Sequence, residues 1–233
     1  MDDKVKHRIQ TYSESKNSIF YRLIKKIILD ARKKFFYYFE NSTEYDDNKS
    51  LLDIGTTPSL DGEQNIILEK TKNNKNITCL SDQDCRILKK KYQNIKSFVI
   101  GNGLRTDYKD MSFDIVHSNA TIEHVGSLEN QIIFIQEASR VAKKYVFIQT
   151  PNRFYPIDFH TNLPLIHWLP KKIHRKMLKF IGLSFYSLEE NLNLLSEKNL
   201  IYICNKLGLK NFSIIKHKLF FMTSNLILII KKS

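Results

Sequence analysis

The stretch LLDIGTTPSLDGEQN (residues 51–65) decides the fold, because it has the form of a buried strand that ends in a ligand-binding turn. Gly55 allows the backbone to turn tightly there and to approach a ligand closely. Thr-Thr-Pro follows where a phosphate- or nucleoside-binding turn usually repeats glycine. Asp53 suits two roles, which are ordering the turn and accepting a hydrogen bond from a ligand amine. An ordinary strand-to-helix turn has the same form, so the rest of the chain must decide.

Strands and helices are predicted to alternate after this stretch. Apolar runs predict strands at 50–55, 76–81, 97–101, 113–119 and 145–151, and amphipathic segments predict helices at 62–72, 83–92 and 127–144. This order is typical of an α/β fold with a mostly parallel, Rossmann-like sheet. Ser127 is the predicted N-cap of the third of these helices. Sheets of this kind bind ligands beyond the carboxyl ends of their strands.

Polar or small residues follow each of the first four predicted strands. They are Asp53, Gly55 and Thr56 after the first, Asp82 and Asp84 after the second, Asn102 and Gly103 after the third, and Ser118 and Asn119 after the fourth. A carboxylate after the second strand suits ribose hydroxyls, and an amide after the third suits a purine edge. Each position also has a structural interpretation, which is helix N-capping for the acids and a glycine-rich turn after the third strand.

The fifth strand leads into the long segment TPNRFYPIDFHTNLPLIHWLP (150–170). Long irregular segments at strand ends usually carry function. The candidate substrate-side and catalytic residues are Arg153, Tyr155, Asp158 and His160 in this segment, and His124 after the fourth strand. A single histidine is more often structural than catalytic, so these assignments rest on position alone. No Cys/His cluster has zinc spacing, and the sequence therefore predicts no metal ligands.

The composition limits the classes of protein to which this chain can belong. The 233 residues suit one domain, and 42% of them are hydrophobic, which is enough for a full core. The formal net charge of +13 permits anionic partners, but the lysines are spread along the chain, which argues against one nucleic-acid patch. Three cysteines without a pairing framework, and the lack of a signal-like or membrane-spanning apolar run, favour a cytoplasmic protein.

Residues 1–48 are predicted to form a polar tail and an amphipathic helix at 19–40. Apolar residues recur there at helical spacing, between lysines and arginines. A helix packed on the domain core is the favoured interpretation. A lid or a membrane-surface helix, with peripheral membrane contact, is the alternative.

Four motifs occur in an order that resembles class I S-adenosylmethionine-dependent methyltransferases, of the bacterial methyltransferase type 11-like kind. They are DIGTTP (53–58), GNGLRTDYKDMSFDIV (101–116), SNATIEHVG (118–126) and EASRVAKKYVFIQTPNR (137–153). The family patterns are Asp-x-Gly-x-Gly in the first motif and Gly-Asp-Gly in the second, so Thr57 and Asn102 are departures from them. The resemblance runs from about residue 51 to residue 200.

The resemblance implies a seven-stranded sheet whose last two strands, 211–218 and 224–232, form an antiparallel hairpin. The methyltransferase domain would span 49–233, with a helical acceptor-side insertion at about 152–208. The insertion would contain a basic helix and a second helix, in which Ser187 and Glu190 resemble a capping box. The basic helix is interpreted as a solvated face, and contact with a phosphorylated or lipid-linked acceptor is the alternative.

The resemblance also implies S-adenosylmethionine as cofactor and a distribution of roles. Asp53, Gly55 and Thr56 would face its methionine part, Asp82 or Asp84 its ribose, and Asn102 and Gly103 its adenine, with Ser118 and Asn119 on the opposite wall. The sulfonium methyl is already activated, so alignment of the acceptor carries most of the catalysis. For a hydroxyl acceptor, His124 and His160 are the candidate general bases, and Arg153, Tyr155 and Asp158 would contact the substrate.

Methyl transfer to a small-molecule acceptor is therefore the favoured function, and the family association favours a sugar or glycolipid precursor. The altered first motif also fits a non-catalytic binding module that kept the fold. A nucleic-acid methyltransferase is the least favoured function. The basic charge suits it, but the chain lacks an RNA-binding appendage and an Asn/Asp-Pro-Pro-Tyr/Phe motif. The sequence leaves the oligomeric state open.

Overall fold

A computed structural model describes residues 19–62, 64–93 and 95–232. The predicted polar tail at 1–18 lies outside the described residues. Seven strands form one sheet in the order β3-β2-β1-β4-β5-β7-β6. The strands are β1 (Leu51–Ile54), β2 (Ile77–Ser81), β3 (Ile95–Ile100), β4 (Phe113–Asn119), β5 (Ala142–Pro151), β6 (Phe212–Leu219) and β7 (Met222–Lys231).

Six helices accompany the sheet within the described ranges. They are α1 (Ile19–Thr43), α2 (Ile66–Lys70), α3 (Leu128–Val141), α4 (Lys171–Phe180), α5 (Ser184–Ser187) and α6 (Glu197–Lys206), with short 3₁₀ turns at Arg86–Lys90, Ile122–His124 and Ile166–Trp168. None of these helices combines the length and the apolar character that crossing a bilayer demands.

The strands from β1 to β5 pair in parallel, and β7 enters antiparallel between β5 and β6. All four β1 residues are buried, as expected for a central strand that is covered on both faces. The register pairs Ile54 with Ser118, and Asn119 with Gln149. The carboxyl ends of β1, β4 and β5 therefore lie side by side. The predicted mostly parallel sheet and its C-terminal antiparallel hairpin are confirmed.

Alternate residues of β1 serve two cores on opposite faces of the sheet. Leu52 and Ile54 belong to the core beneath α3 and α6, and Leu51 belongs to the core beneath α1. Phe39 of α1 is only 1% exposed within this second core. The part of α1 whose side chains are described therefore packs on the sheet, which is the favoured interpretation of this helix.

Helix boundaries agree less well with the sequence analysis. Of the helix predicted at 62–72, only α2 (Ile66–Lys70) is helical, and the helix predicted at 83–92 is a 3₁₀ turn at Arg86–Lys90. Ser127 does cap α3, since its hydroxyl accepts a hydrogen bond from the Asn130 amide at 3.2 Å.

The capping box predicted at Ser187 and Glu190 is wrong. Ser187 ends α5, and the chain is extended at Leu188. The capping box forms instead at Ser196 and Asn199, where α6 begins. The residues between the two positions are mostly buried, and Leu195 forms a parallel bridge with Asn152. Because these apolar residues are buried, the helix begins about two turns further along the chain than the sequence pattern predicts.

Candidate active site

Gly55 makes the turn at the end of β1 possible. It has a φ of +89°, and its amide donates to the Leu80 carbonyl of β2 at 2.8 Å. A Cβ at this position would overlap the Thr121 hydroxyl and would lie 2.7 Å from the Thr121 Cγ2. Both the backbone conformation and the packing therefore require glycine.

Asn65 folds the loop that replaces the expected glycines. Its side-chain amide donates to the carbonyls of Thr57 and Ser59 at 2.9 and 3.0 Å, and its Oδ1 accepts from the Thr57 amide at 3.3 Å. The Cys85 thiol contacts the Thr56 carbonyl at 3.3 Å. Asn65 is 4% exposed. DIGTTP is therefore an ordered turn, and the buried side-chain amide of Asn65 fixes the backbone that follows it.

Asp53 lies beneath this turn and is 4% exposed. One of its carboxylate oxygens is 2.7 Å from Nδ1 of His117, and the other accepts from the Thr56 hydroxyl at 2.7 Å. The His117 ring stacks on Phe147, with ring centroids 5.7 Å apart. Both Asp53 oxygens thus have partners within the protein, which gives this residue a role in positioning the turn. Its contact with the cofactor stays a prediction.

The two acids after β2 differ in their surroundings. The Asp84 carboxylate accepts two hydrogen bonds of 2.9 Å from Nε of Arg86 and one of 2.6 Å from its Nη2. These bonds lower the pKa of Asp84 to about 2. Asp82 is exposed, and its carboxylate has no hydrogen-bond or ion-pair partner in the described part of the chain. Asp82 is therefore the acid that is available for a ligand.

Asn102 and Gly103 follow β3. Asn102 is exposed, and its Oδ1 accepts from the Leu104 amide at 2.9 Å, which closes a tight turn. A Cβ on Gly103 would lie 2.8 Å from Ile54 and 2.9 Å from Phe134. Glycine is thus needed for this turn to pack against the end of β1.

Ser118 and Asn119 end β4 with different environments. Ser118 is fully buried, and its hydroxyl donates to the Ile54 carbonyl at 2.9 Å. This bond holds β4 to β1. Asn119 is half-buried and lines a cavity of about 10 Å³ together with His117 and Gln149. Of the two residues, only Asn119 faces open space.

A cluster of carboxylates and histidines lies beyond β4 and β5. Nε2 of His160 is 3.6 Å from Oε1 of Glu123, and its Nδ1 is 3.2 Å from Oδ1 of Asp158. The two histidine rings of His124 and His160 meet edge to face at 4.8 Å. Nδ1 of His124 lies 2.6 Å from the Asn191 carbonyl. The structure thus brings together both predicted catalytic histidines and Asp158.

Glu123 is the member of this cluster that the sequence analysis missed, although the motif SNATIEHVG contains it. It is fully buried, and its Oε2 accepts from the Thr150 hydroxyl at 3.0 Å. Burial alone would raise the pKa of Glu123, but the contacts with His160 and His124 outweigh burial and lower it. Burial alone would likewise lower the pKa of His160, but Asp158 and Glu123 raise it to about 9. The signal available in the sequence was an acid directly before His124 in this motif.

The predicted substrate residues Arg153 and Tyr155 hold the following segment together. Arg153 donates to the carbonyls of His167 and Leu169 at 3.1 and 2.7 Å. Tyr155 is buried, and its ring stacks on Phe159 at 5.1 Å.

Arg153 also lines a pocket that is rich in cations. The other polar side chains around it are those of His167, Lys171, His174, Arg175 and Asn193. Burial and then the neighbouring cations lower the pKa of Lys171 and of Arg153. Both pocket histidines are at least nine-tenths buried, and one ring nitrogen of each has no hydrogen-bond partner among the described residues. The accessible volume of about 20 Å³ has room for a group of the size of one or two waters.

Residues 52–148 match the model of a family described as a methyltransferase domain. The match runs from β1 to β5 and so contains every strand end described above except the segment after β5. The part of the chain that contains these strand ends thus resembles a methyltransferase domain in sequence, as the sequence analysis predicted. The match supports the predicted methyltransferase family and enzyme class. Among curated proteins, no sequence matches this chain.

Solved structures of methyltransferases share the fold of this chain. Magnesium protoporphyrin IX methyltransferase from Synechocystis, solved with bound S-adenosylhomocysteine, is 15% identical with a TM-score of 0.59, and the match covers 100% of this chain and 95% of that one. A methyltransferase from Methanosarcina mazei is 16% identical with a TM-score of 0.54, over 83% and 96%. The 1,6-didemethyltoxoflavin-N1-methyltransferase of Burkholderia thailandensis is 10% identical with a TM-score of 0.56, over 88% and 79%.

Proposed function

We propose that the chain is a methyltransferase and that it binds S-adenosylmethionine over the carboxyl ends of β1 to β4. Gly55 would admit the methionine part, the free carboxylate of Asp82 would accept hydrogen bonds from the ribose hydroxyls, and Asn102 with Gly103 would border the adenine. Asp53, Thr56 and Ser118 would support the cofactor site indirectly, because they fix the turn and the adjoining strand. The observation that carries this proposal is the ordered DIGTTP turn beside an unpaired acid.

Calorimetric titration with S-adenosylmethionine tests this assignment. Asp82→Ala is expected to weaken binding about tenfold or more, because hydrogen bonds to a charged group are lost. Asp84→Ala serves as the matched control and is expected to bind as the wild type does. Equal losses in both variants would contradict the ribose assignment. A folded wild type that does not bind would favour the non-catalytic binding module.

The acceptor is proposed to be a small molecule that carries an anionic group, such as a phosphorylated sugar or a glycolipid precursor. The cation-rich pocket supports this class of acceptor, because Lys171, Arg175 and two buried imidazoles converge on it. The pocket adjoins the histidine cluster, since the Asn193 amide donates to the Glu123 carbonyl at 2.7 Å. One phosphate or carboxylate oxygen matches the size of the pocket. The toxoflavin enzyme is a structural neighbour whose name gives it a small-molecule acceptor.

The bound cofactor supplies an activated methyl group, and the chain is left to align and activate the acceptor. The pocket cations would hold the anionic end, and the cluster of Glu123, His124 and His160 would face the reacting hydroxyl. His160 is protonated at neutral pH with its pKa near 9, which makes it a poor general base on its own. His124 then remains the candidate base. The free, buried cysteines suit a reducing compartment, and we propose a cytoplasmic reaction.

Release of S-adenosylhomocysteine measures turnover with a panel of sugars and the corresponding sugar phosphates. The wild type is expected to prefer the phosphorylated compounds. Lys171→Gln should reduce that preference about tenfold, while Lys172→Gln, an exposed neighbour on the same helix, should preserve it. The same preference in all three proteins would contradict the anionic-acceptor proposal.

A further inference from the structure

Glu123, His124 and His160 converge in a geometry that suits a metal ion. One potential ligand atom from each lies within 4.8 Å of the other two. Oε1 of Glu123 and Nε2 of His160 are 3.6 Å apart. With bonds near 2.1 Å and tetrahedral angles, neighbouring ligand atoms stand about 3.4 Å apart. Small side-chain movements would therefore complete the coordination of one ion.

The outer atom of each of these three side chains is already held in place. The contacts are Thr150 Oγ1 with Glu123 Oε2 at 3.0 Å, Asp158 Oδ1 with His160 Nδ1 at 3.2 Å, and the Asn191 carbonyl with His124 Nδ1 at 2.6 Å. Metal sites orient their ligands by contacts of this kind, and the pairing of a carboxylate with a ligating histidine is the most typical of them. Glu123 and His160 thus bring Oε1 and Nε2 within 3.6 Å of each other, and one ring nitrogen of His124 belongs to the same group of potential ligand atoms.

The charges of the cluster also call for a cation. Glu123 is fully buried, and within the described residues its Oε1 makes no hydrogen bond, only the 3.6 Å contact with Nε2 of His160. A buried carboxylate oxygen without a hydrogen bond is costly. Asp158 adds a second buried negative charge, with only 3% of the residue exposed. A divalent cation with two neutral imidazoles would bring the total of these four side chains to zero.

We infer that Glu123, His124 and His160 form a binding site for one divalent transition-metal cation, with an open coordination position toward the acceptor. Two imidazoles and one carboxylate suit zinc, cobalt and ferrous iron. The sequence spacing indicated no such site, because its ligands come from two loops that follow β4 and β5. Packing of these adjacent strands brings the loops together.

The role of the cation rests on the proposed methyl transfer, whereas its binding does not. A hydroxyl of the acceptor that enters the open position would lose its proton to water more readily, as metal-bound water does. The oxygen would then attack the methyl group, so that the O–CH₃ bond forms while the S–CH₃ bond breaks and the thioether leaves. The cation would thus activate the hydroxyl directly, and both His124 and His160 would act as neutral ligands in place of a general base.

Cobalt titration of the tag-free, chelator-treated protein tests the site through the visible absorption of Co²⁺. The wild type is expected to bind one Co²⁺ per chain. Glu123→Gln and His160→Gln should each weaken binding at least tenfold, and Asp158→Asn should weaken it about 10–100-fold as an outer contact. His217→Gln is the control, because it removes a buried histidine from a different part of the sheet. Circular dichroism confirms that each variant is folded.

Absence of saturable Co²⁺ binding by the folded wild type would overturn the inference. Equal binding by the wild type and by folded Glu123→Gln and His160→Gln would overturn it as well. S-adenosylmethionine is titrated into the same chelator-treated protein to separate the two proposals. Binding of the cofactor without binding of Co²⁺ would remove the metal site and leave the proposed methyl transfer standing.

Discussion

Replacing Gly55 by alanine tests whether the DIGTTP turn is built as described. The new Cβ would overlap the Thr121 hydroxyl and would lie 2.7 Å from its Cγ2 and 2.9 Å from its Cβ. The positive φ of +89° costs a non-glycine residue about 1–2 kcal/mol. Overpacking against a buried neighbour adds about 1–3 kcal/mol. Gly55→Ala is therefore expected to lower the free energy of unfolding by about 2–5 kcal/mol.

Gly182 provides a matched control within the same chain. Its φ is +85°, and a Cβ there would meet no atom within 4 Å. Gly182→Ala should therefore show only the backbone cost of about 1–2 kcal/mol. The difference between the two variants isolates the contact with Thr121.

Urea unfolding followed by circular dichroism measures both variants, and thermal unfolding should show Gly55→Ala about 4–20 °C below the wild type. Adding Thr121→Ala removes the hydroxyl and the methyl group nearest to the new side chain. The double variant should regain about 1 kcal/mol relative to the sum of the single changes. Equal stability of Gly55→Ala and Gly182→Ala would refute the assigned packing of the turn against Thr121.

Three further changes probe other parts of the structure. Asn65→Ala should lower the free energy of unfolding by about 1–3 kcal/mol in urea and weaken S-adenosylmethionine binding in calorimetry, because the loop carbonyls lose a buried donor; an unchanged affinity would show that the loop does not depend on Asn65. Burial lowers the pKa of His174 to about 4, below its value near 6.5 in the unfolded chain. Stability from neutral His174 is therefore complete above pH 6.5 and is lost as the pH falls toward 4, by roughly 3 kcal/mol in total; urea unfolding at pH 7 and pH 4.5 should show a smaller loss for His174→Gln than for the wild type, and parallel losses would argue against this burial effect. Ser196→Ala should cost about 1 kcal/mol as a lost N-cap, whereas Ser187→Ala should stay within about 0.5 kcal/mol; similar thermal shifts would contradict the corrected capping box.

Local sequence pattern was sufficient for the five parallel strands, whereas the C-terminal antiparallel hairpin was predicted from the family resemblance. The β1 residues alternate between two cores, and the strand–helix alternation selects a parallel sheet with few possible connections. Gly55 was also readable, since a turn at a strand end so often needs glycine. The position of the capping box could not be predicted from the sequence, because Ser187 and Ser196 are each followed three residues later by a side chain that can complete a capping box. Burial of the intervening leucines decides between them, and burial depends on the folded chain.

The candidate site, too, was only partly predictable from the sequence. Its strand-end positions followed from the order of the elements, but the state of each side chain did not. Asp82 and Asp84 are two residues apart, and only the ion pair with Arg86 shows which carboxylate is occupied. Glu123 and His160 belong to different loops, so their contact depends on the pairing of β4 with β5.

The departure from the glycine pattern now has a physical explanation. Repeated glycines leave a turn free to adopt positive φ angles, and their flexibility must be lost on folding. In this chain only Gly55 keeps a positive φ within the turn, while Thr56 bonds to Asp53 and Asn65 fixes the residues that follow. In this turn, side-chain hydrogen bonds therefore fix the backbone, whereas a glycine-rich turn becomes ordered through contacts with its ligand. Substitution of Asp53 would therefore disturb the fold of the turn together with any contact to the cofactor, and Asp82 is the residue whose removal separates binding from folding.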